Sequence, residues 1–199
     1  MLIEVLESDY YYHIYNRGNN KEDIFIEEKN YNYFLKLYDK YIEKVADTFA
    51  YCLLKNHFHF LIKIKDDDEL AQDYVLGKKK ISQPFSNLFN AYAKSINKAY
   101  GRTGSLFQDR FSRKKVTNEK YLKHLIHYIH ANPQKHGFEK DFRKYPHSSY
   151  SSYLSDEKTK LKREEGLEFF GSLDDFIDFH IYNKLKYEGI IEKIDEEDD

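Results

Sequence analysis

The sequence predicts an α+β fold whose segments follow the order β-α-β-β-α-β, with one further helix added after them. Two observations lead to this prediction. Short segments with apolar residues at every second position are typical of strands, and longer segments with apolar residues three or four apart are typical of helices. The two kinds alternate up to residue 117, which is the ferredoxin-like split βαβ pattern.

The first part of the chain supplies a strand, a helix and a second strand. Residues 10–16 are rich in Tyr, His and Ile and predict the first strand, which ends in the turn-forming residues 16–20. Residues 27–45 predict a helix with its apolar side chains at helical spacing: Phe34, Leu37, Tyr38, Tyr41 and Val45. Residues 48–54 predict the second strand, and the short turn after it predicts a hairpin with the third.

The third strand, residues 56–64, organises the candidate site. Its even-numbered side chains, Phe58, Phe60, Ile62 and Ile64, share one face and predict a core face. His57 and His59 share the other face, roughly 7 Å apart along the backbone. Two imidazoles on a rigid strand can bind a divalent metal ion. The simpler alternative is a hydrogen-bonded histidine pair at a sheet edge.

The second half supplies two helices and a short strand. Residues 82–100 predict a helix that has Pro84 in its first turn and ends at Gly101. Residues 112–117 predict a basic strand. Asn118 is a good N-cap for the added helix, residues 119–132, which we expect Pro133 to end.

The added helix carries two stripes of side chains. Leu122, Leu125, Ile126 and Ile129 form an apolar stripe that predicts contact with the core. Tyr121, His124, Tyr128 and Asn132 form a flanking stripe, where Tyr128 and Asn132 lie one turn apart. A phenol and an amide at that margin could approach a metal ion held by His57 and His59. Ordinary amphipathic packing of Tyr128 is the alternative.

Composition points to a soluble cytoplasmic protein. The single Cys52 excludes an internal disulfide and lies in an apolar run, which predicts a buried thiol. No apolar run approaches the length of a membrane-spanning helix. The net charge of −2 hides an asymmetry. Residues 78–120 hold eleven Lys and Arg against two acidic residues, whereas residues 155–199 hold seven against fifteen. This predicts a surface that binds a polyanion and an acidic tail.

Aromatic residues interleave with cations in the basic segment. Unpaired bases stack on aromatic rings while cations hold phosphates, so this pattern is typical of single-stranded nucleic-acid binding. Phe111 belongs to the same pattern. The predicted DNA-binding residues are Arg102, Phe107, Arg110, Arg113, Lys114 and Lys115.

Five blocks in one order resemble a known family. His57-Phe58-His59 resembles the His-hydrophobic-His motif of the HUH single-strand nucleases, and residues 128–133, followed by Gly137, resemble the tyrosine block of the single-tyrosine transposases. Residues 13–18, 101–111 and 145–150 match the same branch. The resemblance covers about residues 8–154 and is greatest to the REP-associated tyrosine transposases.

The resemblance implies a metal-dependent nuclease and strand transferase that acts on single-stranded, hairpin-forming DNA. Tyr128 matches the nucleophile, which forms a 5′-phosphotyrosine and leaves a free 3′-hydroxyl. His57 and His59 match metal ligands, and Asn132 matches the third ligand, where insertion-sequence relatives carry a glutamine. The family points to Mg²⁺ or Mn²⁺, and a nucleoid-associated location follows from action on DNA.

The sequence predicts a transposase-like domain over residues 1–150 and a helical extension with a disordered acidic tail over residues 151–199. Several alternatives stay open at this stage. One is a hairpin-DNA-binding regulator that has lost catalysis, and another is an RNA-binding ferredoxin-like domain with aromatics on its sheet. A structural zinc ion that also uses Cys52 is a third. Monomer and homodimer are equally compatible with the sequence.

Overall fold

A computed structural model describes residues 4–108 and 110–182 of the 199-residue chain. Its strands are Tyr11–Arg17 (β1), Ala46–Leu54 (β2), His57–Ile64 (β3) and Ser112–Lys115 (β4). Its α-helices are Glu28–Ile42 (α1), Gln72–Val75 (α2), Gln83–Tyr100 (α3), Glu119–Lys135 (α4), Tyr150–Tyr153 (α5), Arg163–Glu168 (α6) and Leu173–Tyr182 (α7). Short 3₁₀ turns, Asn19–Lys21 and Phe142–Lys144, lie between them.

The strands form one antiparallel sheet in the order β2-β3-β1-β4. β1 and β3 are therefore the central strands. β2, which lies between them in the sequence, forms one edge of the sheet, and β4 forms the other. Together with α1 and α3, this order is the ferredoxin-like βαββαβ topology, so the predicted fold class is confirmed.

One face of the sheet is covered by α1 and α3. Phe34 of α1 contacts Phe58 and Phe60 of β3, with ring centroids 5.3 and 6.3 Å away, and Tyr92 of α3, 5.0 Å away. All four rings are buried. Burial of each such side chain contributes about 1.5–3 kcal/mol, so this face supplies much of the stability of the fold.

The other face is covered by α4, the added helix. Its buried aliphatic side chains, Leu125, Ile126 and Ile129, pack toward β2 and β3. The predicted N-cap is confirmed, because the side chain of Asn118 accepts a hydrogen bond of 2.8 Å from the backbone N–H of Tyr121.

Residues after Tyr150 pack against this same face. The hydroxyl of Tyr153 donates to the carbonyl oxygen of Phe49 at 2.7 Å. The backbone N–H of Lys162 donates to the carbonyl oxygen of Thr48 at 2.9 Å. Phe176 of α7 is fully buried in the same cluster as the α4 stripe. The boundary that we predicted after residue 150 therefore separates segments that share one core. The predicted disorder of the acidic tail concerns residues 183–199, which lie outside the described residues.

A chain of buried hydrogen bonds joins α4 to β2 on one side and to α7 on the other. His130 Nε2 lies 2.8 Å from the hydroxyl of Ser149, which accepts the N–H of Tyr51 on β2 at 2.9 Å. His130 Nδ1 lies 2.9 Å from His180 Nε2, and His180 Nδ1 donates to the carbonyl of Phe176 at 2.8 Å. Neutral imidazoles satisfy every bond of this chain. We call it the His130–His180 relay.

Two elements differ from the prediction. The charged segment 66–80, for which the sequence predicts no helix or strand, contains the short helix α2. α4 continues through Pro133 to Lys135, because a proline near the end of a helix removes only one backbone donor there. The helix ends in a Schellman motif, in which Gly137 has φ +71° and the N–H of Phe138 donates to the carbonyl of Pro133 at 2.8 Å.

Candidate active site

The paired histidines of β3 meet a third histidine from β1. His57 and His59 lie on the α4 face with ring centroids 5.2 Å apart, and Tyr15 of β1 lies opposite His59 in the sheet register. His59 Nδ1 lies 3.0 Å from Nε2 of His13. His57 Nδ1 donates to the side-chain oxygen of Asn56 at 2.7 Å. With His59 as the donor to His13, the Nε2 atoms of both β3 histidines keep their lone pairs.

Four buried side-chain atoms in this region have no hydrogen-bond partner among the described residues: Nε2 of His57 and of His59, Nδ1 of His13 and the side-chain oxygen of Asn132. With His59 as the donor to His13, Nδ1 of His13 carries a proton and the other three atoms are acceptors. The amide nitrogen of Asn132 donates to the backbone carbonyl of Tyr128 at 3.1 Å, so the oxygen is the free end, and this side chain lies against His57. A buried acceptor left unpaired costs about 1–3 kcal/mol. Two imidazoles and an amide oxygen fit a divalent ion that accepts nitrogen and oxygen ligands.

Burial keeps these histidines neutral. Desolvation, assisted by the positive charge of His136 and Arg17, lowers the pKa of His57 to about 3. Desolvation and the neighbouring His13 hold the pKa of His59 well below its usual value. Neutral imidazole is the form that binds metal, so the site is ready for a ligand at neutral pH.

Tyr128 lies directly over this cluster. Its ring meets His59 edge to face at 5.6 Å and His13 at 6.2 Å, and the ammonium group of Lys135 lies 5.0 Å from its centre. The side chain is buried, and Asn132 follows one turn later. Tyr121 lies seven residues earlier on the helix, about 10 Å away along its axis. The structure therefore brings Tyr128, His57, His59 and Asn132 together as the sequence predicted.

A cleft of about 30 Å³ opens beside the histidines. Such a volume holds one ion or one water molecule. Its lining comes from β1, β3, β4 and the loop before β4 and includes Tyr15, Arg17, His57, His59, Gln108 and Ser112. Arg17 pairs with His57 in the sheet register, so a cation stands next to the histidine pair.

The residues predicted to bind DNA do not form one surface. Lys114 lies opposite His13, so its side chain is on the α4 face. The side chains of Arg113 and Lys115, one residue to either side, are on the other face. The guanidinium of Arg113 lies 4.6 Å above the ring of Phe111, and Lys115 pairs with Glu7 at 2.7 Å.

The remaining predicted residues lie in the loop before β4. Arg102 pairs with Glu22, and Arg110 is exposed with φ +62°. Phe107 belongs to the core rather than to the surface. Its ring packs 5.5 Å from Phe89 and 6.1 Å from Phe58, so it offers no open face to a base. We therefore omit it from the DNA surface proposed below, together with the similarly buried Phe111.

Three contributors to the site were missed in the sequence. His13 and Asn56 hold the Nδ1 atoms of the β3 histidines, and Gln108 lines the cleft. His13 and Gln108 lie in two of the blocks that resemble the family, which was the available signal. Asn56 begins the predicted third strand, and nothing in the local sequence indicates a role for its side chain.

Two alternatives lose their support. The sheet face that an RNA-binding ferredoxin-like domain leaves open for stacking is covered by α4. Cys52 lies opposite His59 in the register, but burial raises the pKa of its thiol well above its usual value. Within residues 4–108 and 110–182, no group of three or more His, Cys, Asp or Glu side chains is arranged to hold a metal. The available donor set is two histidines and an asparagine.

A ferredoxin-like sheet whose His-Phe-His strand faces a tyrosine on an added helix defines the class of single-tyrosine HUH proteins. The chain belongs to the IS200-like transposase family, since the family model "Transposase IS200 like" matches residues 7–132. The resemblance seen in the five sequence blocks is confirmed.

Two relatives sharpen the comparison. A protein of Haemophilus influenzae assigned as a REP-associated tyrosine transposase is 27% identical over 122 residues, which are 60% of this chain and 65% of that protein. The solved structure of a REP-associated tyrosine transposase bound to a REP hairpin matches with a TM-score of 0.56 and 18% identity. The matched region covers 78% of this chain and 85% of the chain in that structure. That likeness shows the fold. In the described part of this chain, no helix has the length and apolar character needed to cross a membrane.

Proposed function

We propose that this protein is a metal-dependent endonuclease and strand transferase that cuts single-stranded DNA beside a hairpin. Its nucleophile is Tyr128, and its metal ligands are His57, His59 and Asn132. The observation that carries the proposal is the set of three unpaired buried acceptor atoms below the Tyr128 ring. In a protein without a ligand for them, these atoms would only destabilise the fold.

The three ligands suit Mg²⁺ or Mn²⁺ bound together with phosphate and water oxygens. When bound, the ion polarises the scissile phosphate and stabilises the charge that develops on its oxygens. The protein contributes the orientation of each ligand. Asn56 accepts the Nδ1 proton of His57, and with His59 as the donor His13 accepts that of His59, so both imidazoles would present Nε2 to a bound ion.

Tyr128 then performs the covalent step. Its phenolic oxygen attacks the scissile phosphorus and loses its proton, a new phosphotyrosine bond forms, and the bond from phosphorus to the 3′-oxygen breaks. The departing 3′-oxygen gains a proton and becomes a free hydroxyl. Attack of a second 3′-hydroxyl on the phosphotyrosine reverses these bonds and joins a new strand.

The DNA partner is proposed from the relatives. The structural neighbour is bound to a REP hairpin, and the H. influenzae relative is assigned as a REP-associated tyrosine transposase. On this chain, Arg17 and Lys114 supply positive charge on the face that carries the site. We therefore assign a hairpin with an unpaired extension as the substrate and place the cleaved phosphate at the opening of the cleft, beside the ion site.

The test uses hairpin DNA from the genomic flanks of the gene, labelled at either end, with Mn²⁺. A 5′-phosphotyrosine keeps the downstream strand, so a 3′ label should migrate with the protein on a denaturing gel. A 5′ label should appear in a free fragment that a polymerase can extend. Tyr128→Phe should lower both products by roughly 10⁴-fold or more, the scale of losing a nucleophile.

Tyr121→Phe is the matched control, because it removes the same atom from the same helix two turns away. It should leave the adduct unchanged. Loss of the adduct in Tyr121→Phe and not in Tyr128→Phe would identify the other tyrosine as the nucleophile. Binding of the hairpin without cleavage by the wild type would instead support the regulatory alternative.

A further inference from the structure

The C-terminal end of α4 places an exposed aromatic ring beside the metal-ligand cluster. The Schellman motif fixes the backbone of His136, Gly137 and Phe138 immediately after the helix. The ring of His136 lies 4.7 Å from that of His57, and the ring of Phe138 lies 6.3 Å from it. Phe138 is 38% exposed, so part of its ring is open to a ligand.

Its position in the motif gives Phe138 an ordinary structural role as well. The residue after the left-handed glycine commonly makes an apolar contact with the last helical turn. A Leu or Val would serve that contact, and a large ring left more than one-third exposed is not needed for it. Among the exposed large apolar side chains of the described ranges, Phe138 is the one whose ring contacts His57, His59 or Asn132.

A cation also lies next to His57. Arg17 lies at the end of β1, opposite His57 in the register, and lines the cleft with His59. In the described part of the chain, its guanidinium group makes no ion pair or side-chain hydrogen bond. Most neighbouring cations differ in this respect, since Arg102 pairs with Glu22 and Lys115 with Glu7.

An exposed ring and an unpaired guanidinium that both adjoin His57 match the alternation of bases and phosphates in single-stranded nucleic acid. Bases stack on rings, and guanidinium groups bind phosphate oxygens through two parallel hydrogen bonds. A paired base inside a duplex has both faces covered by its neighbours and cannot use such a ring. The arrangement therefore selects an unpaired nucleotide.

We infer that Phe138 and Arg17 form the subsite for the unpaired nucleotide that adjoins the scissile phosphate. Phe138 stacks on its base, and Arg17 binds a phosphate oxygen at the opening of the cleft. This inference rests on the proposed function, because the cleaved phosphate defines which nucleotide is meant. It transfers to Phe138 the stacking role that the sequence suggested for Phe107.

The experiment measures binding in the Tyr128→Phe background, which prevents turnover, with Mn²⁺ present. Two DNAs are compared by fluorescence anisotropy: the hairpin with its single-stranded extension and the same hairpin without it. Phe138→Leu should weaken binding of the extended hairpin about 5- to 150-fold, the range for loss of one base–aromatic stack. Binding of the hairpin without extension should not change. Phe138→Tyr, which keeps the ring, should restore the affinity.

Tyr33→Leu is the matched control, because Tyr33 is 37% exposed but lies on α1, which covers the opposite face of the sheet. It should bind both DNAs as the Tyr128→Phe parent does. A 2-aminopurine base next to the cleaved phosphate should be quenched on binding, and Phe138→Leu should relieve this quenching. Arg17→Gln should lower the salt dependence of binding to the extended hairpin, and Arg17→Lys should largely restore it.

Equal affinities of Phe138→Leu and its parent for both DNAs would overturn the subsite. So would an equal loss for both DNAs, since that would indicate a structural role. Cleavage by the otherwise wild-type chain reports separately on the proposed function. A wild type that cleaves while Phe138→Leu changes nothing refutes the subsite alone. A Phe138 effect on binding without any cleavage refutes the nuclease alone.

Discussion

The two faces of β3 are built for different purposes, although their residues alternate along one strand. Phe58 and Phe60 face α1 and α3, where every neighbour is apolar and packing is complete. His57 and His59 face α4, where buried acceptor atoms are left without partners. One strand thus places its packing contacts on one side of the sheet and its candidate site residues on the other. Substitutions at adjacent positions of β3 should therefore differ in effect: those on the histidine face should lower metal affinity, and those on the apolar face should lower stability.

The largest effect is expected from the histidine face. His57→Gln combined with His59→Gln should lower Mn²⁺ affinity more than about 100-fold, since even the loss of a residue behind a ligand costs 10- to 100-fold. Adduct formation should fall with it. Calorimetry with Mn²⁺ and the adduct gel measure the two losses. Glutamine is chosen because both histidines are buried, and alanine would leave cavities.

The matched change on the apolar face is Phe58→Ala, between the two histidines. It should reduce the free energy of unfolding by about 3–5 kcal/mol, measured by urea denaturation. At low temperature, where the protein stays folded, it should still bind Mn²⁺. If the histidine variant lost as much stability as Phe58→Ala, the division of labour between the faces would be wrong.

The next prediction concerns how stability depends on pH. Burial and the neighbouring His130 and His127 hold the pKa of His180 well below its usual value. The unfolded chain takes up the proton near pH 6.5 and the folded chain does not. Stability is therefore complete above pH 6.5 and falls below it, by up to about 1.4 kcal/mol per pH unit for each such histidine.

Both faces should also respond to base. Burial raises the pKa of Tyr38 and Tyr92 on the α1–α3 face, and of Tyr153 on the α4 face, above that of free tyrosine. The contribution of these neutral tyrosines to the free energy of unfolding is fully present below about pH 10 and decreases as the pH rises beyond it. Urea titrations from pH 4 to 11 would show both limbs. His180→Gln should flatten the acid limb by about one proton, and the remaining slope comes from the other buried histidines.

The smallest effect concerns two neighbouring lysines. Lys114 lies on the histidine face beside His13, and Lys115 lies on the other face with Glu7. Lys114→Gln should lower the slope of log affinity against log salt by about 0.7, the value for one phosphate contact on a single strand. Lys115→Gln should leave the slope unchanged. Equal slopes for the two variants would mean that DNA does not follow the histidine face.

Much of this arrangement was predictable from periodicity. The alternation in residues 56–64 separated the two faces, and the spacing of Tyr128 and Asn132 placed both on one side of α4. The same rule applied to Ser112–Lys115 would have separated Lys114 from Arg113 and Lys115. Their shared charge predicts one DNA-binding surface, but the strand places Lys114 on one face and Arg113 and Lys115 on the other.

The rest depends on contacts between distant segments. His13 reaches His59 because β1 pairs with β3 in one particular register, which no local pattern specifies. Phe107 enters the core because its loop folds back onto the end of β1, where Gly18 and Phe107 form a bridge. An aromatic residue in a basic loop has the same local sequence whether its ring packs inward or faces solvent.

The His130–His180 relay has a consequence for the order of synthesis. A chain is made from its N-terminus, so α4 with Tyr128 leaves the ribosome before α7 exists. Until His180 arrives, His130 has a buried nitrogen without its bonding partner, and the outer side of α4 lacks the cover of Phe176. α4 therefore gains its full set of buried contacts only after α7 has been made.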